Sequence, residues 1–306
     1  MLARPARIEV FAAYFASCWR LTSSKEARMG ELGLPQGTIR YQEFGSGKPI
    51  LLVHGLLVNG DLWREVAPRL AESFRVIVPD WPLGSHRLPL NPGTDLSPLG
   101  LAGIIADFME TLDLEDVTLV GNDTGGALSQ LVAVHHPGRL GRLVLTPCDA
   151  YENFLPAMFR PLEVLARIPG APYLVAQSLR PRAARRLPFA YGWLSKRPIP
   201  DDLSDAWMDP VLSNSAIRRE LTSVLKGISK RYTLDAAKRF DRFDKPVLLA
   251  WAPEDRFFKL RYAERMMDSF PHARLERIED SLTFVSLDQP ERTAELIGAF
   301  ASEAVG

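Results

Sequence analysis

One short segment concentrates the residues whose types and spacing could do chemistry. In Val117-Thr118-Leu119-Val120-Gly121-Asn122-Asp123-Thr124-Gly125-Gly126-Ala127-Leu128, an apolar run leads into a glycine turn and then into a helical pattern. Glycines two before and two after Asp123 permit a tight turn without Cβ clashes, and such a turn pushes the central side chain out over a sheet edge. The helix starting there presents free backbone N–H groups to an anion. This is the arrangement of a nucleophile elbow, with a carboxylate at the reactive position. The simpler assignment is a strand-to-helix loop in which Asp123 caps the helix.

The rest of the chain supplies the frame that such an elbow needs. Thr38 to Glu43 alternates in polarity, as a half-buried strand does. Ile50–Val53, Val76–Val78, Val117–Val120, Leu143–Leu145 and Val247–Ala250 are continuous apolar runs, the mark of strands buried on both faces. Helical patterns at Leu62–Phe74, Leu99–Leu112 and Ala127–His136 separate several of them. Strand–helix alternation with short loops predicts an α/β fold with a mostly parallel sheet flanked by helices. The rhythm breaks over residues 151–243, which are rich in proline and helical pattern and have no buried strand. We read this stretch as an inserted helical cap, with the core formed by residues 31–150 and 244–306 and closed by a strand at Arg274–Ile278 and a helix at Pro290–Glu303. Residues 1–30 read as a helical extension whose Val10–Trp19 stretch follows Arg4 and Arg7, as an interfacial amphipathic helix would. Its apolar run is too short to span a bilayer, and Met29 is a second candidate start.

Composition narrows the classes of function. The 306 residues carry 37 Lys+Arg and 37 Asp+Glu, so the formal net charge of zero offers no overall footprint for nucleic acid. The Arg180–Arg186 segment, with four arginines, reads as a solvated face. Cys18 and Cys148 match no metal or redox spacing and read as free thiols of a cytoplasmic protein. No metal or nucleotide motif is present, so no cofactor is expected.

Further segments complete a resemblance. His54-Gly55-Leu56 after a buried strand, Asp80-Trp81-Pro82-Leu83-Gly84, the elbow at Asp123, and Trp251-Ala252-Pro253-Glu254-Asp255 fall in the order and spacing of the α/β-hydrolase superfamily. An aspartate at the elbow resembles the haloalkane dehalogenase and epoxide hydrolase group. The resemblance implies an oxyanion hole from the N–H groups of Leu56 and Thr124, a triad acid at Asp255, and a structural role for His54 in its loop. It also implies a carboxylate that attacks an sp³ carbon, forms an alkyl ester and is released by histidine-activated water. The expected partner is a small apolar molecule, with the chain a monomer or homodimer.

Two departures matter. Thr124 stands where many dehalogenases carry a halide-holding tryptophan, which leaves Trp81 or Trp63 as a cradle. Thr283 stands where the family's histidine belongs, and a hydroxyl is no general base near neutral pH. Of the five histidines, His86 lies in a loop after a strand's C-terminal end and is the candidate substitute; Asp149 and Glu152 follow another strand and are further candidates. Asp255 is free to pair with Arg256 or Thr283. A rearranged hydrolase on an alkyl halide, epoxide or related ester, a non-hydrolytic acid/base enzyme, and a degenerate binding protein are all compatible with this pattern.

Overall fold

The structure is a computed structural model that describes residues 27–304, so the amphipathic stretch at residues 4–19 and Cys18 lie outside the described residues. Eight strands form one sheet: β1 (Arg28–Leu34), β2 (Gly37–Phe44), β3 (Pro49–Val53), β4 (Arg75–Pro79), β5 (Val117–Asp123), β6 (Leu140–Cys148), β7 (Val247–Trp251) and β8 (Ala273–Arg277). Their spatial order is β1-β2-β4-β3-β5-β6-β7-β8. β1 and β2 pair antiparallel, β2 pairs antiparallel with β4, and β3 to β8 run parallel. Every residue of β5, β6 and β7 is buried, which explains their mostly apolar or small residues; Arg142 in β6 and Asn122-Asp123 at the end of β5 are the exceptions. β1 escapes a sequence reading because it is an edge strand with two glycines and an acid, exposed along most of its length.

Helices α1 (Ala67–Leu70), α2 (Pro98–Thr111) and α3 (Thr124–His135) connect the first half of the sheet. The helix expected over Leu62–Phe74 is broken into a 3₁₀ turn at Gly60–Trp63 and the short α1, with Pro68 in its first turn. Between β6 and β7 the chain forms six helices and no strand among the described residues: α4 (Pro161–Leu165), α5 (Ala171–Ser178), α6 (Arg182–Arg185), α7 (Asp201–Ser213), α8 (Ser215–Gly227) and α9 (Lys230–Ala237). After β7 come α10 (Leu260–Ser269), α11 (Val285–Asp288) and α12 (Pro290–Ser302). No helix among the described residues is long and apolar enough to cross a membrane.

The topology fixes where a ligand can sit. The chain steps from β3 outward to β4, then crosses back to place β5 on the other side of β3. Beyond the carboxyl ends of β3 and β5 the connecting loops therefore diverge and leave a crevice. The two segments that end there are His54-Gly55-Leu56 and the turn at Asp123.

Candidate active site

Asp123 sits on the crevice floor in a backbone conformation that β-carbon-bearing residues avoid, φ 53° and ψ −131°. Holding a non-glycine residue there costs about 1–3 kcal/mol and persists only where the surroundings impose it. They do so here by close packing. A Cβ on Gly125 would lie 2.3 Å from the carbonyl oxygen of His54, so only glycine lets α3 start against β3. A Cβ on Gly55 would lie 2.2 Å from Oδ2 of Asp123, so the carboxylate occupies the space a side chain at position 55 would need. Asp123 makes no helix-capping side-chain hydrogen bond, which removes the simpler assignment.

The backbone N–H groups of Thr124 and Leu56 face the Asp123 carboxylate and favour its charged form. Burial outweighs them. Together with the nearby charge of Asp255 it pushes the Asp123 carboxyl up to about 7. Two of the four elements named from the sequence, the elbow and the His-Gly loop, thus meet at one carboxylate.

Asp255 lies in the turn after β7 and is fully satisfied. Its Oδ1 accepts from the N–H groups of Phe257 at 2.7 Å and Phe258 at 2.6 Å, and its Oδ2 accepts from the Thr283 hydroxyl at 2.7 Å. Burial raises this carboxyl to about 6 against the pull of those bonds. Of the two partners open to Asp255, the structure selects Thr283; Arg256 instead lies over the Trp193 ring, 4.7 Å from its centroid. Asn122 donates its amide to the Thr283 carbonyl at 2.7 Å and so ties this loop to the elbow, a contact no sequence spacing announces.

A third carboxyl joins them. The backbone N–H of Asp149 donates to the Asp123 carbonyl at 3.3 Å, and the Thr124 hydroxyl donates to Asp149 Oδ2 at 3.2 Å. Its Oδ1 is buried without a partner. Burial first, and then the Asp123 charge, hold the Asp149 carboxyl well above the usual carboxylate range. Glu152, by contrast, is on the surface, paired to Arg265 at 3.1 Å.

The histidines lie elsewhere. His86 does reach the loop after β4, but its Nε2 is 2.6 Å from Glu220 on α8 and its Nδ1 accepts from the Gly84 N–H at 3.4 Å. Glu220 also accepts from the Leu90 N–H at 2.9 Å, so the pair fastens this loop to the insertion and does not face Asp123. His54 Nε2 accepts from the Trp81 N–H at 2.8 Å and its Nδ1 is 2.9 Å from the Gly55 carbonyl. Burial lowers it to about 4, which keeps it a neutral brace for its loop. His135, His136 and His272 are exposed, at the far end of α3 and before β8. Trp81 is not available as a substrate contact either. It is buried, its indole N–H donates to the Leu52 carbonyl at 3.0 Å, and its ring packs edge-on against Phe108. Trp63 is likewise fully buried in the core.

Above Asp123 is a cavity of about 360 Å³ walled by the insertion. Leu155, Met158, Phe159, Phe189 and Tyr191 of the insertion line it, joined by Phe258 from the Asp255 turn. Tyr173 and Leu174, also of the insertion, are exposed to solvent. Among the described residues, Asp123 is the only charged one in the lining. The Tyr191 hydroxyl, a wall group, donates to the Leu57 carbonyl at 2.6 Å. The site can therefore take an apolar molecule and offer it one carboxylate held beneath two N–H groups, with Thr283 and Asp255 behind it.

Comparison with known proteins agrees with this architecture. Residues 48–290 match the alpha/beta hydrolase fold family. An uncharacterised protein of Mycobacterium tuberculosis is 30% identical over 267 residues, covering 84% of this chain and 76% of its own. Haloalkane dehalogenase 2 of the same organism is 28% identical over 270 residues, covering 86% and 91%. The solved structure of the epoxide hydrolase CorEH superposes with a TM-score of 0.76 at 20% identity, over 90% of this chain and 98% of that one, which speaks to fold. The chain therefore belongs to the α/β-hydrolase fold family, and within it resembles the haloalkane dehalogenases.

Proposed function

We propose that Asp123 is a nucleophile that attacks an sp³ carbon of a small apolar substrate (an alkyl halide, an epoxide or a related ester) beneath a cap formed by the helical insertion. The observation that carries this reading is a strained, buried carboxylate as the sole charge on the floor of an apolar cavity. With an alkyl halide the new C–O bond forms as the carbon–halogen bond breaks and halide leaves; with an epoxide a ring C–O bond breaks instead, and its oxygen stays on the chain and takes a proton from water; either way an alkyl ester forms on Asp123. The N–H groups of Leu56 and Thr124 then serve as the oxyanion hole when water attacks the ester carbonyl.

The second step is where this chain departs from the pattern that its resemblance to the family implies. Thr283 closes on Asp255, so no imidazole activates the water. Asp149 is the carboxyl best placed to take that role. The Asp123 charge helps to keep it protonated, and esterification removes that charge, so Asp149 moves toward its basic form when a base is required. The same absence favours a second reading, in which Asp123 takes a proton from one position of the substrate and returns it at another, with no ester formed and no water consumed. Turnover in H₂¹⁸O separates the two: hydrolysis through an ester leaves ¹⁸O in Asp123, and proton transfer does not.

The test is intact-mass analysis after incubation with a 1-bromoalkane and epoxide panel. We expect an alkyl adduct that maps to Asp123, with one equivalent of bromide released per chain from the bromoalkanes ahead of slower turnover, and neither in Asp123→Asn. No adduct and no release across the panel would overturn the nucleophile assignment.

A further inference from the structure

The outer face of the insertion does not look like the rest of the surface. Between Leu155 and Ile199 the chain has eight Lys and Arg residues and a single acid, Glu163, although its formal net charge is zero. The same stretch holds most of the large apolar side chains exposed among the described residues. Leu174 is 66% exposed, Val164 62% and Phe189 59%, with Ile168 and Tyr173 close to half. Helices α4 and α5 are thus apolar on both sides: Leu162, Leu165 and Val175 turn into the cavity, while Val164 and Leu174 turn to solvent.

Cations border this patch. Five cations, Arg160, Arg167, Lys226, Lys230 and Arg231, line one groove at the insertion's edge against two acids, Glu152 and Glu163. Arg167 and Lys226 also line the adjoining groove, where Ile168 and Tyr173 sit. Among the described residues, the side chains of Arg167, Lys226 and Lys230 have no hydrogen-bond or ion-pair partner, whereas Arg182, Arg185 and Arg186 are neutralised by Asp201 and Asp205. Exposed large apolar side chains gathered on one segment mark a binding surface. Apolar residues rimmed by unpaired cations match an interface with hydrocarbon below and negative headgroups above. A second copy docked symmetrically on this face would bring these cations against one another.

We propose that this face of the insertion rests on the surface of an anionic phospholipid bilayer. Met158 and Phe189 line the cavity and are 40% and 59% exposed, so the cavity mouth opens within the apolar patch. A lipophilic molecule then passes from the hydrocarbon to Asp123 without crossing bulk water.

The experiment is flotation of the full chain with vesicles of phosphatidylglycerol and phosphatidylcholine, against vesicles of phosphatidylcholine alone. The chain should float with the anionic vesicles, and less as salt rises. Arg167→Gln/Lys226→Gln/Lys230→Gln should weaken binding roughly a hundredfold, at about fivefold per cation near a charged surface. Leu174→Ser/Phe189→Ser should weaken it at least ~10-fold. Lys238→Gln, with its partner Asp235 on the exposed side of α9, should leave it unchanged. Far-UV circular dichroism and gel filtration establish that each variant is folded. Binding that survives both multiple variants would place the membrane contact elsewhere and overturn the proposal. So would absence of vesicle binding, or concentration-dependent self-association that the apolar double variant abolishes.

Discussion

Replacing Asp123 by Asn should stabilise the protein at alkaline pH while abolishing its chemistry. Burial lifts this carboxyl from 3.8 to about 7, so ionising it in the folded chain is harder than in the unfolded one. Between those values the folded state holds more protons than the unfolded state, and stability falls as pH rises. The loss begins near pH 4 and is complete above about pH 7, and a displacement of this size amounts to ~4 kcal/mol. Asn has the same shape and cannot ionise. The variant should therefore match the native chain near pH 4 and exceed it by about 2–4 kcal/mol at pH 8, the lower figure allowing for an amide N–H left without an acceptor. Urea unfolding at a series of pH values, with the slope m monitored for constancy, measures this difference directly. Parallel stability–pH curves for the two proteins would refute the argument, because they would mean that the Asp123 charge is not opposed by burial.

Two further substitutions probe the site. Thr283→His should hasten decay of the alkyl–Asp123 ester by roughly 10²–10⁴, the usual range for a positioned general base, and adding Asp255→Asn should remove most of that gain. The larger ring in a buried position should also lower stability by about 1–3 kcal/mol, and unchanged ester decay in a folded variant would show that the missing imidazole is not what limits release. Gly55→Ala places a Cβ 2.2 Å from Asp123 Oδ2, and the forced displacement should slow ester formation about 100-fold while circular dichroism is retained. An undiminished alkylation rate would show that Asp123 does not react from this position.

The sequence made the floor of the site legible and left its walls obscure, for a physical reason. Asp123, Gly125 and the His54–Gly55 pair are bound to backbone events, a tight turn and a close approach, which leave marks in adjacent residues. Thr283 was readable because the resemblance to the family marks that loop as the histidine's place. His86 was readable only as a residue on the correct rim of the sheet. Its direction depends on Glu220, 134 positions away, and no local pattern encodes that pairing. Trp81 failed in the same way, since its indole is committed to the carbonyl of Leu52 on the neighbouring strand. β1 was invisible because an exposed edge strand has no burial pattern to display.

The hydrogen bond from Tyr191 to the Leu57 carbonyl has a mechanical consequence. Leu57 is itself held at a positive φ of 57° and follows directly on Leu56, whose N–H faces the reactive carboxylate. Tyr191 belongs to the insertion, and Leu57 to the loop from β3. A swing of the insertion large enough to part the two would release that loop, so the wall of the cavity and the backbone that carries the Leu56 N–H are mechanically linked. The insertion thus acts as a strut for the loop beside Asp123 as well as a wall for the cavity.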